Sequence, residues 1–173
     1  PATLNVTAIL EGAFDGTEMS TALTSQGLLP VVQPYNVAPF SYSGDETLNI
    51  TNSAPIVDWV LVELRSQESP SSVVTRRAAL LRNDGHIVDT DGSSPLGLST
   101  LTPLQDGYYL VVWHRNHIAV MSAVKITIAN CELSYNFTTS RFAAYTSFAD
   151  GQKQLGSVFG LSSGVSNNDG IIN

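Results

Sequence analysis

The chain has 173 residues, of which 43% are hydrophobic and only 13% are charged, with 15 acidic against 8 basic residues and a net charge of −7. This apolar content excludes a disordered chain, and the length suffices for one domain with a core. The longest basic run is the pair Arg76-Arg77, so a nucleic-acid-binding face is excluded and an anionic membrane surface is an equally poor partner.

The first part of the chain predicts a strand, a helix and a loop. In "TLNVTAIL" the apolar residues alternate, as expected of a strand. The stretch "FDGTEMSTALTSQGLLP" predicts one short helix, capped by Asp15 or Thr17 and ended by Gly27. The next stretch, "VVQPYNVAPFSYSGDE", carries several turn residues and predicts a folded loop.

Strand signals dominate from Val57 onwards. "VDWVLVELR" is apolar enough for a central strand, and Asn83-Asp84-Gly85 predicts a hairpin. "GYYLVVWHRNHIAVMSA" predicts either two strands around a turn or one bent strand, and "AVKITIANCELSYNF" alternates again. Seven to nine short strands predict an all-β fold, an antiparallel β-sandwich that is Ig-like or jelly-roll-like. Residues 1–149 are expected to form this domain, and the Gly/Ser/Asn-rich residues 150–173 an irregular C-terminal appendage.

No apolar run reaches the ~18 residues that a membrane helix requires. The single cysteine, Cys131, cannot form an internal disulfide and is interpreted as a half-buried structural residue. The chain begins at Pro1 without a signal peptide, as expected of a processed secreted protein or of a fragment. Sequons at Asn5, Asn49 and Asn136 matter only in a host that glycosylates them.

The run "VDWVLVELRS…RRAALLRNDGHIVDTDG…YYLVVWHRNHIAVMSA" resembles a β-sandwich module of large secreted bacterial surface proteins. In that family a Gly-Gln-Lys segment and a dockerin-like calcium loop follow the module, and "DGQKQLGSVFGLSSGVSNNDGIIN" occupies the matching place as a truncated, degenerate version. "LLPVVQPYNVAPFSYSG" matches an early loop. The resemblance implies an extracellular, non-catalytic, surface-associated module.

Two acidic segments are candidate calcium sites. In "SNNDGIIN" the residues Asn167, Asp169 and Asn173 fall on ligand positions of a calcium loop, but Val165 takes the first position and the closing carboxylate lies beyond the last residue. Asp89 and Asp91 in "DTDG" are spaced to share a calcium ion. The alternative for both segments is an ordinary turn of Asn, Asp and Gly.

Other residue patterns offer weaker chemistry. His114 and His117 would lie close together only if a turn separates them, and the favoured interpretation has their rings bonded to loop carbonyls. "GLSSG" matches a nucleophile motif around Ser162 by chance, since no histidine follows it. Glu63 with Glu11 or Asp58 would make a carboxylate pair for glycoside hydrolysis, although strand alternation explains it more simply.

Aromatic side chains suggest a surface for sugars. Trp59 and Trp113 lie in apolar strands and are expected in the core. Tyr35, Phe40 and Tyr42 lie on the Pro-rich loop and are expected to reach solvent, where sugars stack on exposed rings.

The sequence predicts a non-catalytic, extracellular structural or adhesive module rather than an enzyme. Its expected partners are other copies of itself or neighbouring surface-protein domains, joined by edge pairing of "TLNVTAIL" or of the tail. The alternative is a carbohydrate-binding module that binds polysaccharide through the Tyr35–Tyr42 loop, with calcium stabilising nearby turns.

Overall fold

A computed structural model describes residues 2–50, 54–98, 107–146 and 152–164. The described residues are mostly strands, which confirms the all-β prediction. The strands are β1 (Ala2–Thr7), β2 (Ile56–Ser66), β3 (Val73–Arg82), β4 (His86–Val88), β5 (Leu96–Leu98), β6 (Tyr108–His114), β7 (His117–Met121), β8 (Glu132–Asn136), β9 (Gln152–Leu155) and β10 (Val158–Leu161). The described residues also contain one α-helical turn, α1 (Ala22–Ser25), and two 3-10 turns, Glu11–Ala13 and Arg141–Ala143.

The main sheet has the strand order β5-β1-β4-β3-β2-β6-β7, and β8 pairs with β1. The β1–β8 pair is parallel, and the other strand pairs are antiparallel. On β1, β5 pairs with Ala2–Leu4 and β4 with Val6 and Thr7, whereas β8 runs along residues 3–7. Because β1 is paired on both sides, "TLNVTAIL" has no free edge for the pairing with a neighbouring chain that was expected of it.

Strand β2 separates two apolar cores. Val60 and Val62 belong to the first core, which also contains residues of β1, β6 and β8. Trp59 and Leu61 belong to the second core, on the opposite face. Successive side chains of a strand point to opposite faces, so a strand covered on both faces reads as a continuous apolar run. The prediction of a central strand here is confirmed.

Residues 28–50 form the predicted folded loop and cover the second core. Tyr35 has no exposed surface, and its hydroxyl donates to the carbonyl of Trp59 at 2.8 Å. The indole Nε1 of Trp59 donates to the carbonyl of Pro30, also at 2.8 Å. Phe40 packs edge-on against Tyr35 with ring centroids 4.9 Å apart. The loop therefore supplies aromatic rings that a bare sheet face would otherwise leave in water.

The predicted helix is shorter than expected. Only one turn forms, with Thr21 as its N-cap residue and Gly27 beyond its end at a φ of 68°. Asp15 does not cap it, because its carboxylate accepts the backbone N–H groups of Thr17 and Glu18 in a turn of its own. No helix among the described residues is long and apolar enough to cross a membrane.

Two predicted turns are confirmed. The Asn83-Asp84-Gly85 turn joins β3 to β4, whose residues pair in antiparallel register. The Arg115-Asn116 turn joins β6 to β7 and places His114 opposite His117. Of the two alternatives for "GYYLVVWHRNHIAVMSA", two strands around a turn is therefore correct.

The C-terminal hairpin, β9–β10, packs on the main sheet. Leu161 is fully buried in the first core, and its N–H donates to the carbonyl of Ile9 at 2.7 Å. The N–H of Phe159 donates to the carbonyl of Thr138 at 3.0 Å. Residues 152–164 thus differ from the predicted irregular appendage, because they share the core of the sandwich-like sheet.

Candidate functional site

The aromatic residues predicted to bind sugar lie against the second core. Tyr35 is fully buried and Phe40 is only 8% exposed, so the expectation that these two rings reach solvent is wrong. Tyr42 is half-buried and its hydroxyl donates to Glu46 Oε1 at 2.6 Å. Burial, together with the Glu46 carboxylate, raises the pKa of Tyr42 well above its usual range. Tyr35 and Phe40 present no face on which a sugar can stack.

The "DTDG" carboxylates are bound to protein donors. Asp89 accepts from Arg77 Nη2 at 2.8 Å. Asp91 accepts the backbone N–H groups of Ser93 and Ser94 at 2.9 and 2.8 Å. The hydrogen bonds from Ser94 and Ser93 lower the pKa of Asp91 to about 2. Asp91 therefore stabilises the turn and Asp89 joins it to Arg77 of β3, while calcium binding at these two acids stays a prediction.

Within the described parts of the chain, no group of three or more His, Cys, Asp or Glu side chains is placed to hold a metal ion. The other calcium candidates, Asn167, Asp169 and Asn173, lie outside the described residues. Calcium binding at those three residues stays a prediction.

A chain of hydrogen bonds connects three buried ionisable side chains, and we call it the Asp58–His114–His117 chain. Asp58 and His114 are each 3% exposed and His117 is 7% exposed. His114 Nε2 lies 3.1 Å from Asp58 Oδ2, and His114 Nδ1 lies 2.9 Å from His117 Nδ1. The backbone N–H of Gly12 donates to His117 Nε2 at 3.3 Å. The expectation that the two rings bond to loop carbonyls is therefore wrong.

The local fold explains why these groups meet. A two-residue turn places His114 directly opposite His117 across the β6–β7 hairpin, and side chains opposite each other in this way share one face. Asp58 comes from the neighbouring strand β2. Residues Glu11–Ala13 form the 3-10 turn that brings the Gly12 N–H to the far end of the chain.

The hydrogen bonds fix the proton on each ring. Since His117 Nε2 accepts from Gly12, a neutral His117 carries its proton on Nδ1 and donates to His114 Nδ1. His114 Nδ1 also accepts the backbone N–H of Asn116 at 3.2 Å, so the His114 proton lies on Nε2 and points to Asp58. Every ring nitrogen is engaged, and the nitrogens do not converge on a common point. The Asp58–His114–His117 chain is therefore a linear series of hydrogen bonds and not a metal-chelating site.

The charges around the Asp58–His114–His117 chain are balanced. Arg115 Nη2 lies 2.8 and 2.9 Å from the two carboxylate oxygens of Asp58. Burial raises the pKa of Asp58, but the hydrogen bonds from His114 and Arg115 and the charge of Arg115 outweigh it, so the net pKa is lowered and Asp58 is ionised. Burial lowers the pKa of His117 to about 4. His117 is consequently neutral at pH 7.

A cavity of about 290 Å³ opens beside the Asp58–His114–His117 chain. Its walls include the apolar side chains of Leu10, Leu23 and Val57 together with His117 and Asp58. The ring nitrogens of His114 and His117 in its wall are already hydrogen-bonded within the protein.

Glu63 forms a separate buried cluster. Its side chain has no exposed surface and accepts from Arg65 Nε and Arg76 Nε, each at 2.5 Å. Asp58 is bound to His114 and Arg115, and Glu11 to Lys153. Each acid of the suggested glycosidase pair is thus held by its own cation, which agrees with the simpler interpretation of these acids as ordinary strand and turn residues.

Strand β8 lies at an outer edge of the sheet. Thr3 N–H donates to the carbonyl of Cys131, and Phe137 N–H donates to the carbonyl of Thr7. In a parallel ladder, alternate residues of one strand bond to the same neighbour. The backbone groups that bond to β1 therefore belong to residues 131, 133, 135 and 137. Ser134 and Asn136 direct their backbone N–H and C=O groups away from β1. We call these outward groups the β8 edge; no further strand among the described residues pairs with β8.

The β8 edge is accessible. Glu132, Ser134 and Asn136 are all exposed, and β8 follows a turn in which Cys131 has a φ of 60°. Cys131 is itself exposed, so its interpretation as half-buried is wrong. The sequon residues Asn5, Asn49 and Asn136 are exposed as well, and their glycosylation stays a prediction.

Sequence reasoning found the two histidines but missed Asp58 as their partner. One signal was available, because Asp58 is the single charged residue in the apolar run "IVDWVLV". A carboxylate that is buried on a central strand requires a partner. The identity of that partner depends on pairing between strands 56 residues apart, which one sequence does not reveal.

Comparison with known proteins gives no relative: no family model, no curated protein and no solved structure matches this chain at a significant level. The resemblance of Val57–Ala123 to a module of secreted surface proteins therefore stays a prediction.

Proposed function

We propose that this chain is a non-catalytic structural module of an extracellular or cell-surface assembly, and that it joins a second copy of itself through the β8 edge. The observation that carries the proposal is the outward direction of the backbone groups of Ser134 and Asn136. The Asn136 carbonyl accepts from the Thr139 hydroxyl at 3.5 Å and keeps a second lone pair. An accessible row of outward N–H and C=O groups is a template for another strand.

One register of the two β8 strands uses all the outward groups. In an antiparallel pair with its two-fold axis at Tyr135, Ser134 of each copy lies opposite Asn136 of the other. Both outward residues then exchange N–H and C=O bonds across the interface. Glu132 lies opposite Thr138, so no like charges face each other.

The polar clusters support the non-catalytic part of the proposal. Asp58, His114 and His117 bind one another, and Glu63 is held by two arginines. Side chains engaged in this way stabilise the fold and leave no free nucleophile and base pair among themselves. The extracellular setting rests on the low charge content and on the sequence resemblance.

Sedimentation velocity across a wide range of protein concentration tests the self-association. Ser134→Pro removes one outward N–H but no bond to β1, since Pro is tolerated where the N–H faces solvent on an edge strand. We expect this variant to dimerise at least about tenfold more weakly. Ser134→Ala keeps the N–H and should dimerise like the wild type. A reducing agent is needed because Cys131 is exposed.

A chain that remains monomeric at near-millimolar concentration contradicts the proposal. Dimerisation that Ser134→Pro leaves intact contradicts the β8 route. Retention of the wild type on insoluble polysaccharide would favour the carbohydrate-binding alternative, with a surface other than Tyr35 and Phe40.

A further inference from the structure

We propose that the Asp58–His114–His117 chain is an acid-sensitive latch: one added proton breaks it and releases the Gly12 turn and the C-terminal hairpin from β7. The proposal is independent of self-association at the β8 edge, because it concerns a different part of the fold.

His117 lies where three segments meet. It forms an isolated β-bridge with Ser163, and the N–H of the next residue, Ile118, donates to the carbonyl of Ser162 at 3.0 Å. Both the backbone N–H and the hydroxyl of Ser163 donate to Glu11 Oε2, at 2.8 and 3.0 Å. The Glu11–Ala13 turn, β7 and the end of β10 are thus held together at this one junction.

No ring nitrogen in the chain takes a proton without losing a hydrogen bond. A proton on His117 Nε2 would point at the N–H of Gly12, which is itself a donor. A proton on His114 Nδ1 would point at two donors, the N–H of Asn116 and the Nδ1–H of His117. Protonation of either ring therefore converts an attractive contact into a repulsive one.

The surrounding charges do not compensate for a new cation. Among the described residues, four charged groups face the junction: Asp58 from β2, Arg115 from the β6–β7 turn, Glu11 from the 3-10 turn and Lys153 from β9. Arg115 lies 2.8 Å from Asp58, and Lys153 lies 2.5 Å from Glu11. Both carboxylates are already paired, so an imidazolium that is 7% exposed would have little water and no free counter-ion.

The direction of the pH effect follows from proton linkage. The low pKa of closed His117, about 4 against 6.5 for the exposed group, agrees with the geometry. Between these two values the open form binds a proton that the closed form does not. Stability of the latch is therefore complete above pH 6.5 and falls as the pH decreases towards 4. The opening constant should rise about tenfold for each pH unit in this interval.

Native-state hydrogen exchange of the full chain, corrected for the intrinsic pH dependence of exchange, measures this opening. The amides of Gly12, Ile118 and Ser163 should lose protection as the pH falls from 6.5 to 4, while amides of β2 and β3 keep theirs. His117→Gln retains a neutral acceptor and removes the protonation of His117, so the loss of protection on acidification should be much smaller than in the wild type. His86→Gln is the matched control, because His86 is exposed and lies outside the chain.

If His117→Gln does not fold, nitrogen NMR of the wild-type imidazoles decides the matter. We expect His117 to remain neutral, with its proton on Nδ1, well below pH 6.5. An ordinary titration of His117 near pH 6.5 would overturn the proposal, and so would protection that falls equally in His117→Gln and in the wild type.

Discussion

Gly85 and Gly16 share an unusual backbone conformation in very different surroundings. Gly85 closes the β3–β4 hairpin with a φ of 89°, and a Cβ placed there would lie 2.9 Å from the carbonyl oxygen of Ala8. Gly16 has a φ of 109°, and nothing lies within 4 Å of the same position. The two glycines therefore separate the cost of the backbone conformation from the cost of crowding.

Gly85→Ala should lower the free energy of unfolding by about 3 kcal/mol, since it combines an unfavourable φ with a clash against backbone. Gly16→Ala should lower it by only about 1 kcal/mol, because the conformation alone is strained. Urea unfolding of both variants measures the difference. Equal losses would mean that the hairpin moves to admit the methyl group.

The histidine pair and Tyr35 show which residue contacts can be predicted from a single sequence and which cannot. The turn in "HRNH" was sufficient to predict that His114 and His117 can meet, because turn chemistry is local. The burial of Tyr35 was not predicted, although it lies on a Pro-rich loop of the type expected at the surface. Its hydroxyl bonds to a carbonyl 24 residues away, and that contact depends on tertiary packing.

Among the elements, β2 and the C-terminal hairpin differ in how readily the sequence reveals them. The continuous apolar run of β2 predicts a strand covered on both faces. The hairpin "QKQLGSVFGL" begins with polar residues and lacks a regular alternation, so its periodicity is weak. What fixes it is the long-range pairing of Leu161 with Ile9 and Leu10.

Leu161→Ala tests whether this hairpin is part of the main folding unit. Leu161 is fully buried, and removing its side-chain carbons should leave a cavity and lower the free energy of unfolding by about 3 kcal/mol. Val158→Ala is the matched control, because Val158 is only partly buried, and it should cost about 1 kcal/mol or less. Thermal unfolding by calorimetry should give one transition in each case. A second, independent transition would indicate that residues 152–164 fold separately.

For the molecule as a whole, the net charge of −7 opposes association between copies. Like-charged bodies repel one another over roughly one Debye length, which is about 10 Å at 0.1 M salt. The backbone bonds proposed for the β8 edge are much less sensitive to salt than this repulsion.

Added sodium chloride at pH 7 should therefore strengthen dimerisation, as measured by sedimentation velocity at a fixed protein concentration. Ser134→Pro should show no comparable gain, since screening alone does not create an interface. Dimerisation that weakens with salt would instead point to an interface made of opposite charges.

The pairing of β1 has a consequence for synthesis. Val6 pairs with Ile87 and Thr3 with Glu132, so β1 cannot complete its pairing until segments far along the sequence have been synthesised. A nascent chain of this topology stays open until late, because distant contacts cannot form before both partners exist.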